Sequence, residues 1–131
     1  MRNLAAFALA LTLMAPGALH AAESMTETRI TLRAALQRGL DASLIEGAVQ
    51  RIDLASGEVR SFYPVENHPM ILELGDLYVL CSDLMGQDGD RVTVDYFFAP
   101  ADGSYSVIRT EIGNRAPLEA LMKAGKLTRL R

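Results

Sequence analysis

The clearest alternation of apolar and polar positions lies between Leu77 and Phe98, LYVLCSDLMGQDGDRVTVDYFF. In its second half Val92, Val94, Tyr96 and Phe98 alternate with Arg91, Thr93, Asp95 and Phe97. A period of two puts each set on one face of a strand, and β-branched and aromatic side chains suit a half-buried pleated surface. The first half, Leu77 to Leu84, is apolar at both parities until Ser82 and Asp83, which predicts a strand covered on both faces. Gly86, Asp88 and Gly89 supply turn chemistry between the two. The stretch therefore predicts a central hairpin around which the remaining elements pack.

Before it, Leu32, Leu36 and Leu40 recur every fourth residue with Ala35 among them, while Arg29, Arg33 and Gln37 fall elsewhere. This predicts an amphipathic helix over 27–40, with Ser24, Thr26 or Thr28 as a starting cap and Gly39 weakening its end. A short strand over 28–33, with Ile30 and Leu32 alternating, is the competing reading. Residues 43–54 fit a helical stripe (Leu44, Ile45, Ala48, Val49, Ile52) and a strand. The turn signal at Ala55-Ser56-Gly57 favours a hairpin of Ala48–Leu54 with Val59–Tyr63. Pro64 and Pro69 bracket a predicted loop, VENH, and Met70–Leu74 leads through a Gly75-Asp76 turn into the central strand. After it come a loop at Ala99–Gly103, a strand at Tyr105–Ile112 ended by Gly113-Asn114, a short helix at Pro117–Ala124 stopped by Gly125, and an edge strand within Leu127–Leu130.

The predicted fold class is α+β: an antiparallel β-meander sheet with an N-terminal helix and a short C-terminal helix packed on it. Short connections make sequence neighbours sheet neighbours, and the N-terminal helix covering one face of a curved sheet is the natural two-layer solution. The element order resembles the cystatin-like and related helix-on-sheet folds. The resemblance is one of topology, with no family motif in these residues, so it implies an architecture and no activity.

The N-terminus has the pattern of a secretory signal peptide over 1–21. Arg2 is the positive start, Leu4–Met14 is apolar apart from Thr12, Pro16 and Gly17 break the run, and Ala21 is a small residue at the cut. The run is too short to span a bilayer as a helix, so no transmembrane segment is expected after processing. The expected location is periplasmic or secreted, with residues 22–131 forming a single domain, long enough for an ordinary hydrophobic core.

Charge changes the picture by its distribution. The chain has a net charge of −3, yet Pro64–Tyr105 holds eight acidic residues against the single base Arg91, and Ser106–Arg131 holds six bases against two acids. Such asymmetry steers a partner or is neutralised internally when the tail packs on the sheet; the second is the expectation. Acidity, export and the lack of a basic helix with aromatic platforms argue against nucleic acid. Lys123, Lys126, Arg129 and Arg131 give the tail weak, salt-sensitive attraction for anionic surfaces.

Candidate chemistry is sparse. The one cysteine, Cys81, excludes an internal disulfide and, inside an apolar strand, is expected to be a small buried hydrophobe. Outside the signal the sole histidine is His68, expected in an exposed loop. His68, Met70, Cys81 and Met85 are soft ligands of the type that select Cu(I), but they lack a compact ligand spacing. Asp83, Asp88 and Asp90 with Gly89 match only part of a calcium loop, with Arg91 and Val92 where further ligands belong. No metal, cofactor or catalytic residue is therefore assigned.

Two carboxylates remain, Asp95 among valines and aromatics and Glu73 in MILEL. Each is expected on the polar side of its strand or paired with an arginine such as Arg109. The leading expectation is a non-catalytic binding or accessory module that contacts another envelope protein, or itself, or a small ligand, through a sheet face, an edge strand, or the loops Val65–Pro69 and Ala99–Gly103. The alternatives are a cone-shaped hydrolase or isomerase with Asp95 or Glu73 as base, and a self-assembling envelope component.

Overall fold

The computed structural model describes residues 17–131, with side chains from residue 24 onward. Arg2, the Leu4–Met14 run and Pro16 of the predicted signal lie outside the described residues, and the expected cut after Ala21 falls within the first helix. The elements are α1 (Gly17–Ser43), β1 (Leu44–Ile45), β2 (Ala48–Ile52), β3 (Val59–Leu74), β4 (Leu77–Gly86), β5 (Arg91–Ala101), β6 (Ser104–Ile112), α2 (Ala116–Lys123) and β7 (Thr128–Arg129). The class is α+β, and the strands follow one another across an antiparallel meander, β1-β2-β3-β4-β5-β6, with β7 pairing the outer edge of β3.

α1 buries the stripe that its sequence predicts: Leu32, Ala35, Leu36 and Leu40 are all at most 5% exposed. The expected caps Ser24, Thr26 and Thr28 lie inside the helix instead, and Thr28 donates its hydroxyl proton to the Ser24 carbonyl one turn back. At its far end Ser43 donates to the Leu40 carbonyl, satisfying one of the orphan acceptors there. The chain then turns at Glu46-Gly47, both with positive φ (52° and 81°), the geometry of a two-residue hairpin turn matched to strand twist. This makes β1, which the ambiguous 43–54 pattern did not predict.

The β2–β3 hairpin pairs Val49 with Phe62 and Ile52 with Val59, as its turn signal predicts. The predicted VENH loop is corrected by the structure. β3 runs through both prolines, with register shifts between Pro64 and Glu66 and between Asn67 and Ile71. The physical reason is position. β2 covers the outer edge of β3 as far as Phe62 and β7 covers it at Leu72 and Glu73. Between them no strand among the described residues asks for the N–H that proline lacks, and irregular pairing absorbs the rest. The predicted Ala99–Gly103 loop is likewise mostly strand: Pro100 pairs with Tyr105 and Ala101 with Ser104, leaving Asp102-Gly103 as a two-residue turn with positive φ at both positions.

The sheet has a helix on each face, so the expectation of one covered face gives way to three layers. On the first, α1 packs Leu32 and Leu36 against Leu80, Leu84, Val94 and Phe98, all at most 2% exposed. On the second, Leu118 of α2 packs against Val79, Cys81 and Phe97. Pro117 lies in the first turn of α2, and just past its last residue, Lys123, Gly125 N–H reaches the Met122 carbonyl and Lys126 N–H the Leu121 carbonyl. β7 and the buried Leu130 then bring the C-terminus back to β3 and α1, where the Leu130 carbonyl accepts from Arg29.

Candidate functional site

The α2 face brings together two of the residues singled out in the sequence, Asp95 and Cys81. Register places Asp95 directly opposite Cys81 on β4 and Glu111 on β6. Asp95 is on the parity expected to be polar, yet it is only 1% exposed, on the face where Leu118 of α2 packs against its neighbours Cys81 and Phe97 and with Arg115 beside it. An Arg115 guanidinium nitrogen stands 3.4 Å from Asp95 Oδ1 and 4.0 Å from Cys81 Sγ. Among the described residues neither carboxylate oxygen of Asp95 accepts a well-formed hydrogen bond, although the Cys81 thiol and Arg115 stand beside it. Burial, followed by the facing Asp95 carboxylate, pushes the Cys81 thiol up to about 12 against a weaker pull from Arg115. Cys81 is thus a neutral buried thiol, as its apolar strand predicts.

The expected pairing of a strand carboxylate with Arg109 is corrected. Arg109 bonds Glu111 two residues along its own strand, because the register sets Arg109 opposite Phe97 rather than Asp95. The arginine that meets Asp95 comes from the residue before α2. Glu73 and Asp95 do not form a pair. Glu73 aligns through Tyr78 with Phe98, three residues along β5 and two strands away, and it accepts from the Thr128 hydroxyl at 3.4 Å.

His68 is also not in a loop. It lies in β3 with Nε2 2.9 Å from Asp83 Oδ1. Asp83 further accepts from the Thr93 hydroxyl at 3.0 Å and meets Arg91 Nε at 2.9 Å, while Arg91 also reaches Glu66. Burial pushes the Asp83 carboxyl up, but Thr93, His68 and Arg91 outweigh it and hold it below the usual aspartate range.

His68 and Cys81 therefore serve separate clusters. Among the described residues no group of three or more His, Cys, Asp or Glu is arranged to hold a metal ion. Asp88 accepts from the Asp90 backbone N–H and faces Arg60, so the partial calcium pattern is a closed turn. The basic tail is anchored by β7 and Leu130 rather than free. Lys123, Lys126, Arg129 and Arg131 form no ion pair among the described residues, so Arg115 alone joins the basic end to the acidic middle.

The other polar-lined place was not legible in the sequence. The meander curls around α1, which touches both β2 and β6. The two strands thereby approach without pairing, and the Arg51 guanidinium crosses the seam to the Thr110 carbonyl at 3.3 Å. Between them lies an open groove of about 500 Å³, floored by Val49 and Tyr96 and walled by Val107 and Ile108. Gly39 lets α1 come close: a Cβ there would stand 3.4 Å from Val107. Burial pushes the Tyr96 phenol up to about 12 in spite of nearby Arg51, so it stays a donor at neutral pH. A second groove of about 330 Å³ follows the seam past Ile52, Arg60 and Phe62. Neither Asp95 nor Glu73 lines either groove.

Comparison with protein-family models, with curated proteins and with solved structures found no match. The likeness to cystatin-like folds accordingly rests on element order alone. Among the described residues no helix is long and apolar enough to cross a membrane.

Proposed function

We propose that the protein is an exported, non-catalytic binding module that acts in the periplasm or outside the cell and contacts its partner through the seam between β2 and β6. The observation behind this reading is the unpaired outer edge of β6. Among the described residues β5 occupies one side of the strand and no strand pairs with the other, where only the Thr110 carbonyl is taken up, by Arg51, and Ile108 is 58% exposed beside it. Free N–H and C=O groups along an edge are a template for an added strand. Exposed Ile45, Ile52, Leu54 and Val59 extend an apolar surface over the neighbouring hairpins.

The enzyme reading has a buried acid in Asp95, but among the described residues its neighbours are a neutral thiol and Arg115, and it lines neither groove of the seam. The self-assembly reading keeps β6 as its contact and loses Cys81, whose burial withholds it from a second chain.

Site-specific photo-crosslinking tests the seam. A benzophenone side chain at position 108 is compared with one at Met122 on α2, where exposure is nearly the same, 58% against 57%. In native envelope extract, a discrete adduct from position 108 that is absent from position 122 is the expected result. Its mass separates another protein from a second copy. Adducts of equal yield at both positions, or none at 108, would rule out the seam as the contact surface.

A further inference from the structure

Resting on the seam reading, we propose that the groove at Tyr96 and Arg51 binds a small aliphatic carboxylate, its acyl chain along Val49, Val107 and Ile108 and its carboxylate at Arg51 and the Tyr96 hydroxyl.

Four features converge on that ligand class. The groove, at about 500 Å³, lies within the range of small-molecule sites, roughly 300–1,000 Å³. Its floor and one wall are apolar side chains, and only arginines, Arg51 and Arg109, bring formal charge to its lining. Glu111 occupies Arg109, whereas Arg51 makes no ion pair among the described residues and spends one nitrogen on the Thr110 carbonyl. The remaining guanidinium donors match the two oxygens of a carboxylate. Tyr96 is 6% exposed, its ring belongs to the core under α1, and its hydroxyl makes no hydrogen bond among the described residues. The phenol is protonated at neutral pH and lines the groove, so it can donate to an acceptor that enters there. An anion with an apolar body satisfies both the cation and this phenol, and its chain covers Val107 and Ile108. A neutral lipid leaves Arg51 unanswered, and a cation is repelled.

Decanoate is the probe, with decanol as the same chain without the charge. Calorimetric titration of the folded protein should give saturable one-to-one binding of decanoate. Arg51→Gln should weaken it at least tenfold, and Tyr96→Phe by a smaller factor. Decanol should bind more weakly and show no difference between wild type and Arg51→Gln. Circular dichroism melts establish that each variant is folded. Absence of saturation by wild type, equal decanoate affinity in Arg51→Gln, or equal affinity for decanol would overturn the proposal. The seam reading stands or falls separately. An adduct at position 108 without decanoate binding sinks the carboxylate site alone, and decanoate binding without an adduct sinks the protein contact alone.

Discussion

The two faces of the sheet are covered by helices of very different kinds. Under α1 the contacts are aliphatic and aromatic, with Leu32, Leu36, Leu84 and Phe98 completely or almost completely withdrawn from water. Under α2 the apolar patch of Val79, Phe97 and Leu118 shares its space with a carboxylate, a thiol and a guanidinium. The first face is held by burial, which is non-directional and additive with area. The second includes a charge whose cost is offset only while one arginine stays beside it. The same strands supply both faces, so alternate residues of β4 and β5 obey different physical rules.

The sharpest test of that contrast is truncation on each face. Phe98→Ala should cost about 3–5 kcal/mol, read as a lower urea midpoint, with no second substitution on the α2 face able to recover it. Arg115→Ala should also destabilise, by about 2 kcal/mol, less than the 3–5 for breaking a fully buried pair, because the Arg115 side chain is 39% exposed. Asp95→Val should be close to neutral or stabilising, and the double variant should recover most of the Arg115→Ala loss. If Asp95→Val is as damaging as Phe98→Ala, the two faces do not differ in the way described.

A smaller effect concerns acid. The Asp83 carboxyl is held below its ordinary value by Thr93, His68 and Arg91 despite burial. A depressed carboxyl contributes stability that is full above the unfolded-state value, about 3.9, and is lost as pH falls through the lower folded value. Urea midpoints of wild type should therefore fall more steeply than those of Asp83→Asn between pH 5 and the acid limit, about pH 2. Parallel curves would remove Asp83 from the account.

The smallest expected effect is on reactivity rather than stability. With Cys81 raised to about 12 by burial and Asp95, iodoacetamide should not label the folded protein at pH 8. It should label the unfolded chain at the ordinary thiol rate. Asp95→Asn removes one of the groups that raise the thiol, so its labelling should begin at lower pH than that of wild type.

The elements themselves were legible where local pattern and burial agree. The Leu32-Leu36-Leu40 stripe, the alternation from Arg91 to Phe98, the Gly57 and Gly75-Asp76 turns and the Pro117 start of α2 each reappear. Prolines misled twice, at Pro64–Pro69 and at Pro100. Their cost depends on whether a neighbouring strand needs the missing N–H, and that is a property of the sheet and not of the residue. Asp95 was recognisable as a singular carboxylate, but its partner was not. Arg109 is near it in strand order, whereas Arg115 reaches it from the start of α2.

Local periodicity by itself determined that this chain makes an antiparallel meander with an N-terminal and a C-terminal helix, because each strand and helix records which of its sides meets a core. Only the tertiary structure decided that α2 lies on the face opposite α1, that Asp95 is buried beside Arg115, and that β2 and β6 confront each other across Arg51. Those are consequences of sheet curvature and of contacts between residues far apart in the chain. Arg51, Tyr96 and Ile108 have no sequence spacing that announces a groove; they meet because the sheet curls around a helix of that thickness.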